Sequence, residues 1–131
     1  MKKCLTVRQV PGQGRGVFAG QSFRRDEIIE VCPVIPLRSS EANACCYTIL
    51  DDYFFEWGMT GKAYALLLGY GALYNHDSDP NATYVKRVGK LQMVFRAVRD
   101  IKKGEQITID YGWTDGQMPP PRVTVETVTA L

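Results

Sequence analysis

The chain's single histidine, His76, lies in the stretch LYNHDSDPNA (residues 73–82), directly after Asn75 and ahead of Asp77, Asp79 and Pro80. An imidazole can move a proton or ligate a metal, and a neighbouring amide can donate and accept hydrogen bonds at once. One histidine with no second histidine and no nearby cysteine builds no metal site, and nothing beside it makes a charge-relay triad. The plain alternative is a turn in which Asn, Asp and Pro only set backbone geometry. Two other stretches have chemical content. In GQGRGVFA (12–19), Gly12, Gly14 and Gly16 allow a backbone to approach a ligand closely. A dinucleotide fingerprint needs a helix next, whereas VF and a polar link follow, so that fold is excluded. In GEQITIDYG (104–112), a strand runs into Asp110, Tyr111 and Gly112 and presents a phenol at its end. Aromatic packing at the rim of a core is the plain reading of that tyrosine.

The elements that must position these residues read as short strands separated by turns. CLTVRQV (4–10) leads into the turn-rich PGQGRG, followed by the strand VFA. EIIEVCPVIPL (27–37) is rich in β-branched residues and reads as a strand broken by two prolines. Residues 38–46 are small and polar and read as a surface loop. YFFEW (53–57) is strand-like and ends at Gly58 and Gly61. ATYVKRV and LQMVFRAV flank Gly89-Lys90, which suits a two-residue II′ hairpin. Alternation puts Leu91, Met93, Phe95 and Ala97 on one face. One short helical turn is expected near 69–76. From Gln117 the stretch QMPPPRVTVETVTAL changes character, and three consecutive prolines mark a tail (117–131) beyond a single domain (1–116). The fold class is mainly β with little helix.

Composition narrows the function classes. At 131 residues, 45% of them apolar and 11% aromatic, one domain can bury a sizeable core without disulfides. Cys4, Cys32, Cys45 and Cys46 contain no C-x-x-C pair and with one histidine offer no zinc site, so no metal is expected. Reduced cysteines and the absence of a signal-like N-terminus point to the cytoplasm. No apolar run reaches the ~20 residues of a membrane span. The net charge of +2, with its Lys and Arg pairs scattered, argues against direct binding of nucleic acid.

Taken in order, GRGVFA, GYGALYNHDSDPNA and KKGEQITIDYG resemble the SET-domain protein-lysine methyltransferases. The family's Asn-His-Ser-x-x-Pro-Asn segment stands here as NHDSDPN, and its Gly-Glu-Glu-Leu-Thr-x-Asp-Tyr segment as GEQITIDY. The similarity covers roughly residues 5–113 and is greatest to the minimal form of the domain, of the kind found in chlorella viruses. It implies small curved sheets of the β-clip kind, with NHDSDPN and the IDYG strand threaded together as a pseudoknot. It further implies S-adenosylmethionine as methyl donor, lying over a turn at Gly14, Arg15 and Gly16. On the same resemblance Asn75 holds the donor's polar end, the His76 backbone pairs with adenine, and Tyr111 is the catalytic tyrosine at the donor. Tyr53, Phe55, Tyr84, Ile109 and Trp113 are then the substrate-side residues, as walls of a lysine channel or its lid.

The substrate would be a basic protein or peptide, histone-like or ribosomal, drawn by carboxylates at Asp51, Asp52, Glu56, Asp77, Asp79 and Asp115. A homodimer is compatible with this reading, as is action in a host nucleus should a virus or pathogen deliver the protein. Three departures from the family pattern stand out. Asp77 precedes Ser78, Asp79 replaces a common cysteine, and no cysteine-rich zinc segment follows Gly112. The competing reading is a module that keeps this fold and binds a basic peptide without turnover; another is a purely structural β domain.

Overall fold

The computed structural model describes residues 4–58 and 63–112. Trp113, Asp115, Gly61 and the proline-rich tail, all named above, lie outside the described residues.

Strand β1 (Leu5–Val10) turns at Pro11–Gln13 into β2 (Gly14–Ala19), with Val10 opposite Gly14 and Leu5 opposite Ala19. Gly14, Arg15 and Gly16 are therefore strand residues and not the turn expected from their glycines. The turn lies one step earlier, and Gly12 and Gly14 take the positive φ values of 78° and 75° that it requires.

Strand β3 (Ile28–Arg38) is continuous through both of its prolines. It changes partner along its length. Ile28–Pro33 pairs with β8 (Gln92–Ala97), and Val34–Arg38 pairs with β5 (Ala63–Leu67). The Val34 N–H reaches the Leu91 carbonyl on the β8 side. By alternation Pro36 faces that same side, past the end of β8, where no ladder bond is forfeited. The prolines mark the switch of partner rather than a break.

Residues 39–43 form a short helix, α1 (Ser39–Asn43), where a loop was expected. Glu41 Oε1 accepts the Arg38 N–H at 2.9 Å and pairs with the Arg38 guanidinium at 3.3 Å, closing the first turn. Tyr53 ends a 3-10 helix (Ile49–Tyr53) and only Phe55–Trp57 is strand, β4. The helical turn expected near 69–76 is the 3-10 segment Gly71–Leu73. The β7 (Ala82–Arg87) to β8 connection is not a two-residue turn. Val88–Lys90 is a 3-10 turn closed by Leu91 at φ 51°, and Arg87 faces Gln92. Met93, Phe95 and Ala97 are buried as expected, while Leu91 is exposed.

Two sheets result. One has the order β1-β2-β9-β6, with β6 (Asn75–His76) and β9 (Gln106–Ile109); the other has the order β4-β5-β3-β8-β7. Their inner faces share one core containing Phe23, Ile29, Phe95, Ile101, Ile107 and Ile109. β6 runs parallel to β9, with Asn75 beside Thr108 and His76 beside Ile109. On the same strand Asn81 acts as a clip, accepting the Thr108 N–H at 2.9 Å and donating to the Gln106 carbonyl at 2.8 Å. Residues 75–81 and 106–112 are thus interleaved across one strand. No described helix is long and apolar enough to cross a membrane.

Candidate active site

Tyr111 follows the last residue pair of β9, and its position is set from two directions. Its hydroxyl donates to the Tyr74 carbonyl in a short hydrogen bond, and its backbone N–H donates to His76 Nδ1 at 3.0 Å. The two rings lie 5.2 Å apart. Asp110 Oδ1 accepts the Gly112 N–H at 2.8 Å, closing the turn around the tyrosine, and lies 3.7 Å from His76 Nδ1. The imidazole, assigned only a backbone role from the sequence, therefore also holds Tyr111 through its ring. To accept at Nδ1, that nitrogen must carry no proton.

Tyr74 is itself fixed. Its hydroxyl donates to Glu30 Oε1 at 2.7 Å, while the second oxygen of Glu30 accepts the Tyr70 N–H at 3.0 Å. Burial first, then the charge of Glu30, raises the Tyr74 phenol well above its ordinary value, so it stays neutral and donates. Glu30 has no place in the sequence motifs, yet it pins both ends of the segment that leads into Asn75.

Asn75 is nearly sealed, at 4% exposure. Its amide nitrogen donates to the Arg15 carbonyl at 3.0 Å and to Gln106 Oε1 at 2.8 Å. A Cβ on Gly16 would stand 2.5 Å from Gln106 Oε1 and 2.8 Å from Asn75 Nδ2. Only glycine lets β2 approach this pair. Arg15, Gly16, Asn75, His76 and Tyr111 are thus brought together, with Gly14 starting the same strand. The hydrogen bonds also enlist Gln106 and Glu30, which the sequence reading left unassigned.

Of the residues expected to line the substrate, Phe55 meets Tyr84 edge-on with ring centroids 5.8 Å apart. Tyr84 lies 6.1 Å from Phe95, and Phe95 lies 4.5 Å from Tyr74. This chain of rings leads to the carbonyl that receives the Tyr111 hydroxyl. Burial foremost, then the charges of Asp110 and Glu56, raises the Tyr84 phenol above its ordinary value. Ile109 is wholly buried in the core, beside His76 in the β6–β9 pairing. Tyr53 is half-buried at the end of its 3-10 helix. Among the expected carboxylates, Asp79 pairs with Arg99 at 3.5 Å and Asp77 accepts the Asp79 N–H. Asp110, not among them, acts by its charge on Tyr84, as the expected Glu56 does. Among the described residues no three His, Cys, Asp or Glu side chains gather as metal ligands.

This arrangement, a phenol held at the meeting point of β9 and the NH segment beside an aromatic wall, defines a class. The SET domain model matches residues 14–112, and the chain belongs to the SET-domain family. Its enzyme class is that of the protein-lysine N-methyltransferases. A histone-lysine N-methyltransferase of Schizosaccharomyces pombe, specific for H3 lysine-37, is 34% identical over 82% of this chain and 73% of its own length. The N-lysine methyltransferase KMT5A-A of Danio rerio is 29% identical over 82% of this chain, which spans only 35% of that relative. A solved Plasmodium falciparum chain described as a histone methyltransferase superposes with a TM-score of 0.67 at 30% identity. That superposition covers 88% of this chain and 98% of the other.

Proposed function

We propose that the protein transfers a methyl group from S-adenosylmethionine to a lysine of a basic, histone-like protein. The observation that carries this reading is the double hold on Tyr111, at its hydroxyl by Tyr74 and at its N–H by His76. With its proton committed to a carbonyl, the phenol oxygen is fixed in position where β9 meets the NH segment.

The residues suit the donor. Asn75 uses both amide hydrogens internally, so what it has left to present is an acceptor, fitted to an amino group. The missing Cβ of Gly16 lets β2 pack directly against that amide. When bound, the donor supplies a sulfonium-activated methyl, which makes an enzyme nucleophile and a metal unnecessary. The chain's own task is to deliver a neutral amine and keep water out. A free lysine titrates near ~10.4 and is protonated at neutral pH. Passage along Phe55 and Tyr84 strips water from the ammonium and favours its neutral form. The Tyr111 oxygen then accepts an N–H of the amine and orients its lone pair. Such positioning can supply ~7–11 kcal/mol of a barrier in well-oriented systems. Asp110 and Glu56, whose charges are felt at Tyr84, favour arrival of a cationic peptide.

The test is methyl transfer to a library of basic peptides, histone tails included. We expect transfer by the wild-type protein and its near-complete loss in Tyr111→Phe, with donor affinity within a few fold. A Tyr111→Phe protein of full activity would remove the phenol from the reaction.

A further inference from the structure

Gln106 is the first residue of β9 and sits opposite Phe18 of β2. Its carbonyl oxygen accepts one amide hydrogen of Asn75, and the Arg15 carbonyl accepts the other. Flipping the Asn75 amide would turn its oxygen toward two other oxygens and lose both bonds, so the orientation is locked. Among the described residues the Asn75 carbonyl oxygen accepts no hydrogen bond, yet it is not a polar atom sealed from solvent. It is thus held ready, with no donor of its own to offer. Arg15 contributes through its backbone, which any residue could supply. Gln106 contributes a side-chain oxygen, and the missing Cβ of Gly16 is what admits it.

We propose that Gln106 is a specificity-determining positioning residue: by locking the Asn75 amide with its oxygen outward, it selects ligands that carry a primary ammonium group. The inference rests on the donor-site reading above and extends it to a residue that touches Asn75 and not the donor. Being neutral, Gln106 acts by direction and not by charge. Its loss leaves the Arg15 carbonyl as the one remaining hold of the pair, which lowers the cost of turning the amide and lets Asn75 present a mixture of acceptor and donor. The penalty falls on the amino-acid end of a ligand and spares its nucleoside end.

Two probes separate those ends under calorimetric titration of the full chain. S-adenosylhomocysteine keeps the amino-acid end, and 5′-methylthioadenosine lacks it. Gln106→Met keeps length and removes the acceptor. It should weaken S-adenosylhomocysteine by about tenfold, the scale of one misplaced bond to a charged group, and leave methylthioadenosine within about twofold. Gln106→Glu restores an acceptor oxygen and should recover most of the lost affinity. If Gln106→Met does not fold, Gln106→Asn, whose shorter side chain withdraws the same oxygen, takes its place in the comparison. Equal weakening of both probes would make Gln106 merely structural and overturn the proposal, as would no weakening of either. A wild-type protein that binds neither probe overturns the donor-site reading and this inference with it. Tight binding of both probes by the wild type with no selective loss in the variant overturns this inference alone.

Discussion

His76 shows how one side chain serves two neighbours. Its backbone lies on β6 beside Ile109, while Nδ1 accepts the Tyr111 N–H, with the Asp110 carboxylate 3.7 Å from the same nitrogen. His76→Leu should therefore lower kcat by about tenfold or more, the cost of one lost positioning bond. His76→Asn places an amide oxygen near the Nδ1 position and should recover part of the loss. Stopped-flow or discontinuous methyl-transfer assays check this, and an unchanged kcat in His76→Leu would show that the ring does not position Tyr111.

At the scale of elements, β3 does more than fill the middle of a sheet. Glu30, on its first half, reaches the segment between β5 and β6, binding the Tyr70 N–H and the Tyr74 hydroxyl. Glu30→Gln leaves an oxygen for one of these donors and sets an amide donor against the other. The expected loss of stability is ~1–3 kcal/mol, the range for a buried group left unsatisfied. Denaturant midpoints measure it, and kcat should fall more than donor affinity because Tyr74 holds the Tyr111 hydroxyl. The aromatic row from β4 and β7 carries a second expectation. Ile109 is buried and offers no hydroxyl to restrict the product, so the half-exposed Tyr84 is the side chain placed to do so. We expect the wild type to reach at least the dimethyl state, read by mass spectrometry of a peptide at long reaction times. A product that stays monomethyl until Tyr84→Phe releases it would give control to Tyr84.

For the whole molecule, the two sheets meet over a core in which the Tyr74 phenol is buried beside a carboxylate. Its folded value is raised above the unfolded one of about 10, so the stabilisation from keeping it neutral is complete below about pH 10. It is lost as pH rises beyond that toward the folded value. Thermal midpoints should hold level from neutral pH to about pH 10 and then fall. Tyr74→Phe should lower the plateau, by leaving Glu30 without its hydroxyl donor, and flatten the alkaline fall. An equally steep fall in the variant would place the responsible group elsewhere.

What the amino-acid sequence determined by itself was the set of parts: mainly β elements, the glycine at 16, the NH segment, and a tyrosine at a strand end. These are legible because turn residues, period-two alternation and a linear motif each act within a few neighbours. Its local errors were ones of competition. Pro33 and Pro36 suggested a broken strand, but the strand continues through both and changes partner between Pro33 and Val34. Gly89 suggested a tight hairpin, but a 3-10 turn closed by Leu91 prevails. Only the tertiary structure decided which groups meet. Asn75 finds Arg15 from 60 residues away and Gln106 from 31, Tyr74 finds Glu30 across 44, and the His76 ring finds Tyr111 across 35. Glu30 and Gln106 look like ordinary polar strand residues along the chain, because a hydrogen-bond partner brought in by sheet pairing leaves no periodic trace beside the residue it serves.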